Sequence, residues 1–177
     1  MTKGGHLQVF AAVAVVAAFA YACEDEASVD PGGSLVGEDG LIVFTRATRF
    51  TPPDFESDLY AIGVDGTDER RLTDSPGLDA FPAWSPDGSK IAFSGDAGGD
   101  NAEIYTMKAD GSHRTRLTDI PGGDHWPLTW SPDGTRIAFT SEGPEDHSRI
   151  FVMNADGSGL KRLTDSPADD AFPAWRP

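Results

Sequence analysis

At 177 residues the chain is long enough for one domain with a real core. Its formal charge of −15, with basic residues only in short pairs such as Arg70-Arg71 and Lys161-Arg162, excludes nucleic acid and anionic lipid head groups as partners of its surface. One cysteine, Cys23, excludes an internal disulfide and a thiolate zinc cluster, while 20 glycines and 13 prolines suit short strands joined by tight turns.

Lys3 precedes an apolar run over 9–23. That is shorter than the roughly 20 residues of a membrane-spanning helix and predicts a secretory signal peptide over 1–22. The run ends Ala20-Tyr21-Ala22-Cys23, which resembles the bacterial lipobox, where the cysteine is lipidated and becomes the first mature residue. The alternatives are a cut at Ala-x-Ala that leaves Cys23 as a free thiol, and a retained anchor. A lone cysteine at this junction favours the lipid, and by the same resemblance Glu24 leans towards the outer membrane. Residues 23–40 then read as the lipidated cysteine followed by an acidic, glycine-rich tether, too poor in apolar residues to offset its ordering entropy.

From 41 to 177 three motifs recur in fixed order. Arg-Leu-Thr-Asp stands at 71–74, 116–119 and 162–165; Asp-Gly at 65–66, 110–111 and 156–157; tryptophan at Trp84, Trp130 and Trp175. The spacings are 45 and 46 residues, a period that indicates a solenoid or a propeller. In chain order the pattern predicts strand B at 42–44, strand C at 59–62 and a strand D ending in Arg-Leu-Thr. Strand A follows at 81–85, and the cycle repeats with B at 91–93, C at 104–107, A at 126–131, B at 137–139, C at 150–153 and a last A at 172–175. Ser-Pro-Asp-Gly at 85–88 and 131–134 turns A into B, and Asp-Gly turns C into D. The stretches 45–57, 94–102 and 140–148 read as B–C loops. The second copy has one residue more between proline and tryptophan, where a bulge is expected. No helical period appears. The prediction is an all-β chain, a β-propeller of four-stranded antiparallel blades with three repeats.

Trp-Ser-Pro-Asp-Gly-x-[Lys/Arg]-Ile-Ala-Phe, then Ile-Tyr-x-Met-x-Ala-Asp-Gly, then Arg-Leu-Thr resembles the WD-related repeat of the TolB-like propellers over 41–177. The resemblance implies a non-catalytic cell-envelope module that binds protein or peptide. The alternative is a truncated propeller of a larger envelope protein, such as a propeller-gated peptidase.

Chemistry is sparse. No nucleophile elbow occurs, and Ser85 and Ser131 belong to turns. His113, His125 and His147 fall in different loops, and Asp96, Asp100 and Asn101 lack the pattern of a calcium loop. The expectation is therefore no enzyme, no cofactor and no metal. One constellation remains: Asp79, Asp124 and Asp170, each two residues before an aromatic, with His125 beside them. In propellers of this kind strand A is innermost, so these side chains form an acidic channel rim for a cationic peptide, or else each aspartate caps a turn.

Propellers close with about four to eight blades. Here the strands make two complete blades, with B, C and D left over at one end and A at the other. Either the chain is cut short, or two copies close one six-bladed ring as a homodimer.

Overall fold

A computed structural model describes residues 40–51, 54–97, 99, 101–120, 125–142 and 147–176, with the side chains of 49–51, 54–55 and 125–126 excepted. The signal peptide, Cys23, the tether and Asp124 lie outside the described residues.

Among the described residues all eleven elements are strands. The first sheet has the order β1 (Leu41–Thr51), β2 (Asp54–Gly63), β3 (Arg70–Arg71). The second holds β4 (Asp79–Trp84), β5 (Lys90–Gly95), β6 (Glu103–Lys108) and β7 (Thr115–Arg116). The third holds β8 (His125–Trp130), β9 (Arg136–Glu142), β10 (Ser148–Asn154) and β11 (Lys161–Arg162). Every pairing within the sheets is antiparallel and between sequence neighbours. These are propeller blades: β4–β7 and β8–β11 are complete, and β1–β3 are strands B, C and D of another.

The recurring motifs are the joints of this architecture. In each Asp-Gly turn the aspartate accepts a backbone N–H two residues on, at 2.9 Å in all three copies. The glycine that follows has φ near +80°. A side chain at Gly111 would also sit 2.6 Å from the Leu72 carbonyl, so the turn lies hard against the preceding blade. In Arg-Leu-Thr-Asp the threonine hydroxyl accepts an N–H of strand C, that of Leu59, Ile104 or Ile150, and so extends the C–D ladder. The arginine pairs with the aspartate three residues on, as in Arg71–Asp74, Arg116–Asp119 and Arg162–Asp165. Ser85 and Ser131 are buried, and each hydroxyl donates to the turn aspartate at 2.6 Å, which assigns them to structure.

Apolar residues of neighbouring blades form the core. Leu59 packs with Ile91, Phe93 and Met107, and Ala92 and Ile104 with Leu128, Trp130, Ile137 and Phe139. Trp130 Nε1 donates to the Ala83 carbonyl of the preceding strand A at 3.1 Å, and Trp175 Nε1 to that of Thr129 at 3.3 Å.

Three expectations are corrected. Residues 45–51 and 54–57 are strand rather than loop, since β1 and β2 pair out to Thr51–Asp54 with a bulge at Ala47/Arg49. The β-branched Thr45, Thr48 and Thr51 with Phe50 favour strand over loop in this stretch. A bulge interrupts both paired A strands, between Ala80 and Ala83 and between Trp126 and Leu128, so it belongs to the repeat and not to the longer copy. The residues 172–175 form no strand, because no strand B lies beside them among the described residues.

Candidate functional site

Antiparallel order places the starts of the A strands, the B–C connections and the D–A connections at one end of each blade. The Asp-Gly and Ser-Pro-Asp-Gly turns lie at the other. A groove of about 390 Å³ between the two Ser-Pro-Asp-Gly turns is lined by Pro86, Asp87, Lys90, Trp130, Pro132 and Asp133. Asp87 and Asp133 are held down to about 2 by hydrogen bonds from Ser85 and Ser131 and from the N–H groups of Ser89 and Thr135. They are bonded as turn residues.

The sequence-predicted residues lie at the opposite end. Asp79 opposes Gly95 in the ladder, and His125 opposes Ser141 at the equivalent place. His125, rather than Asp124, is therefore the counterpart of Asp79. The common bulge brings the two strands into step, and the extra residue of the second copy falls in the D–A connection before the strand.

Asp79 is 1% exposed. Its carboxylate accepts the Ser75 hydroxyl at 2.7 Å and two arms of the Arg114 guanidinium at 3.0 and 3.1 Å. Burial pushes its carboxyl upward, against the pull of Ser75 and Arg114. It caps no backbone turn through these bonds and meets no solvent. Arg114 in turn lies 5.0 Å from the Phe93 ring centroid and 4.2 Å from that of Tyr105, which stack on each other. Gly95 makes room for the pair: a Cβ there would stand 2.5 Å from Asp79 Oδ1 and 2.8 Å from Arg114 Nη2.

The first blade builds the same motif from different residues. Arg46 stands where Gly95 stands. It lies 5.2 Å from Phe44 and 4.3 Å from Tyr60, and is held in a two-armed pair with Glu69 at 2.7 Å. In both blades a guanidinium covers an aromatic pair of strands B and C.

Asp170 is the counterpart of Asp79 in the unpaired A segment. It is half-buried, its N–H donates to the Ser148 carbonyl at 3.0 Å, and its Oδ2 has no hydrogen-bond partner among the described residues. Nearby, Arg149 is 5% exposed and donates to the carbonyls of Ser148 and Ala168, while its Nε has no partner. Sequence reasoning passed over Arg149. The signal was an inversion of charge: it occupies the position held by Asp58 and Glu103, which pair with Arg71 and Arg116 at 2.6 Å in the other blades. Among the described residues no group of three histidine, cysteine or acidic side chains is placed to hold a metal ion.

Blades of this order and packing define the β-propeller class, and the relatives narrow it. No protein-family model matches the chain. Over 66 residues it is 36% identical to the TolB homolog of Chlorobium luteolum, covering 37% of this chain and 13% of that protein. Among solved structures it matches the TolB-type protein of Agrobacterium tumefaciens at 29% identity and TM-score 0.57, over 69% of this chain and 45% of the other. TolB of Acinetobacter baumannii matches at 26% and 0.55, over 62% and 27%. The repeats are thus similar to those of the TolB-like β-propellers. The chain spans less than half the length of these relatives.

Proposed function

We propose that this chain is a non-catalytic binding module of the cell envelope, exported by residues 1–22, held to a membrane by lipid on Cys23, and engaging a protein or peptide partner through the acidic end of its blades. The observation that carries the binding reading is the contrast between Asp79 and Asp170. At Asp79 the position is filled by a guanidinium that lies over two aromatic rings. At Asp170 the same position keeps a carboxylate oxygen without a partner among the described residues. The group that complements it is therefore an arginine carried on an extended strand, since 170–175 is itself a strand-A segment without a ladder neighbour. A net charge of −15 draws a basic segment from a distance.

Titrating an arginine-bearing strand peptide into the chain by fluorescence anisotropy tests this. Asp170→Asn removes the charge and keeps the shape, and should weaken binding about tenfold and flatten its salt dependence. Unchanged affinity and unchanged salt dependence would refute the reading. The anchor is tested separately by Cys23→Ser, which should move the protein from the membrane to the soluble envelope fraction. An unmodified thiol in the intact mass of the native protein would rule the lipid out.

A further inference from the structure

The first and last described segments carry complementary marks. β1 is the edge of its sheet. In the complete blades the isoleucine of strand B that faces strand A is sealed: Ile91 and Ile137 are 0% exposed, whereas Ile42 at the same place is 51% exposed. A second mark is independent of this. Trp130 and Trp175 each give their indole N–H to a carbonyl of the preceding strand A, while Trp84 Nε1 is buried and has no acceptor among the described residues. Both observations ask for a strand A beside β1, with a carbonyl facing Trp84.

At the other end, 170–175 already has the shape of a strand A. Phe172 holds φ 58°, as Phe81 holds 54° inside the ladder of the second blade, yet Phe172 is 75% exposed. The segment is docked on the preceding blade, by Phe172 N–H to Thr140 Oγ1 at 3.1 Å and by Trp175, and presents its outer edge unpaired.

We infer that residues 170–175 of a second copy of this chain fill the edge of β1, and that the exchange is reciprocal and closes a two-chain ring. This deepens the binding reading above, on which it rests, by naming the arginine: it is Arg46. The register follows from the paired blades, where Asp79 faces Gly95, Ala80 Ser94, Ala83 Ala92, and Trp84 Ile91. Carried over, Asp170 of the second copy faces Arg46, Ala171 faces Thr45, Ala174 faces Val43 and Trp175 covers Ile42. The carbonyl of Ala174, the counterpart of Ala83 and Thr129, then accepts from Trp84 Nε1. The Asp170 carboxylate, turned to clear the Arg46 Cβ, meets a guanidinium already lying over Phe44 and Tyr60, which sets an acid–arginine pair across the interface with the arginine on strand B in place of Arg114. Five N–H donors let Arg46 keep Glu69 as well. A two-fold operation makes the contact twice, so no strand edge of the kind is left.

Sedimentation of the 177-residue chain in density-matched micelles should give two copies per particle at micromolar concentration. Asp170→Arg should give single copies, Arg46→Asp likewise, and the double exchange Arg46→Asp with Asp170→Arg should restore the pair. Because Arg46→Asp alone disturbs Glu69, a second measurement stands beside it. In a Cys23→Ser background, Val43→Cys with Ala174→Cys should oxidise to a covalent pair of chains, and Val43→Cys with Asp156→Cys should not. Single copies of the unaltered chain would overturn the inference, whether its own upstream residues or a longer polypeptide fill the edge; so would a pair indifferent to both charge changes. Titration with a peptide of sequence Leu-Ile-Val-Phe-Thr-Arg-Ala-Thr-Arg-Phe-Thr separates this from the binding reading. Binding by a chain that stays single leaves that reading standing and removes only the second copy; no binding by such a chain removes both.

Discussion

The strand-A sequence occurs within a ladder at Asp79–Trp84 and outside one at 170–175. The two share the positive φ at phenylalanine and a tryptophan directed at the preceding blade. That conformation is uncommon for a bulky residue and costs of order 1–3 kcal/mol. It persists at 170–175 without ladder bonds, where the segment is docked on the preceding blade through Phe172 N–H and Trp175 Nε1. What the ladder adds is burial and charge pairing: Ile91 is sealed and Ile42 is not, Asp79 is saturated and Asp170 is not. A blade of this chain is thus assembled in two layers, an inner strand shaped by its neighbour and an outer hairpin that seals it.

The largest effects should mark the inner layer. Trp130 is buried between strands A of two blades, and Trp130→Ala should lower stability by about 3–5 kcal/mol in a urea melt. Trp84, only half-buried, should cost visibly less when truncated. A small loss at Trp130 would show that the inner strands are not the core.

A middle-sized effect separates the two aspartates. Asp79→Ala leaves Arg114, whose side chain is 24% exposed, without its carboxylate and should cost about 3 kcal/mol. Asp170→Ala, measured in dilute solution, should stay within about 0.5 kcal/mol. Gly95→Ser should mimic the loss at Asp79 in part, since its side chain would enter the space of the pair. Equal losses at the two aspartates would erase the contrast.

The smallest effect is one of pH. The carboxyls of Asp87 and Asp133, held at about 2 against an ordinary 3.8, release stability as protons bind. A depressed folded-state value means that the contribution is complete above the ordinary value and is lost as pH falls from there towards 2. Asp79 works in the other sense, since burial raises its value and the folded state takes up its proton the more readily. Thermal midpoints should therefore fall between about pH 4 and 2, and Asp87→Asn with Asp133→Asn should flatten that fall. An unaltered slope would assign the acid loss to other groups.

The sequence by itself determined the repeat, its four-strand cycle and the chemistry of its turns. A period of 45 to 46 residues, Asp-Gly with its acceptor two residues on, and Ser-Pro-Asp-Gly are local, so each copy states them independently. The extent of the β1–β2 hairpin, the step of His125 with Asp79, and the partners of the acidic residues were decided by tertiary structure. Arg114 meets Asp79 across 35 residues and Arg46 meets Glu69 across 23. Nothing local tells a paired aspartate from one whose oxygen lacks a partner. Burial of a charge is settled by which blade lies beside it, because only the neighbouring strands decide whether water or a guanidinium solvates the carboxylate. Arg149 makes the same point in reverse: its position reads as one more polar residue in strand C, and only the packed blade shows it buried where the other copies carry an acid.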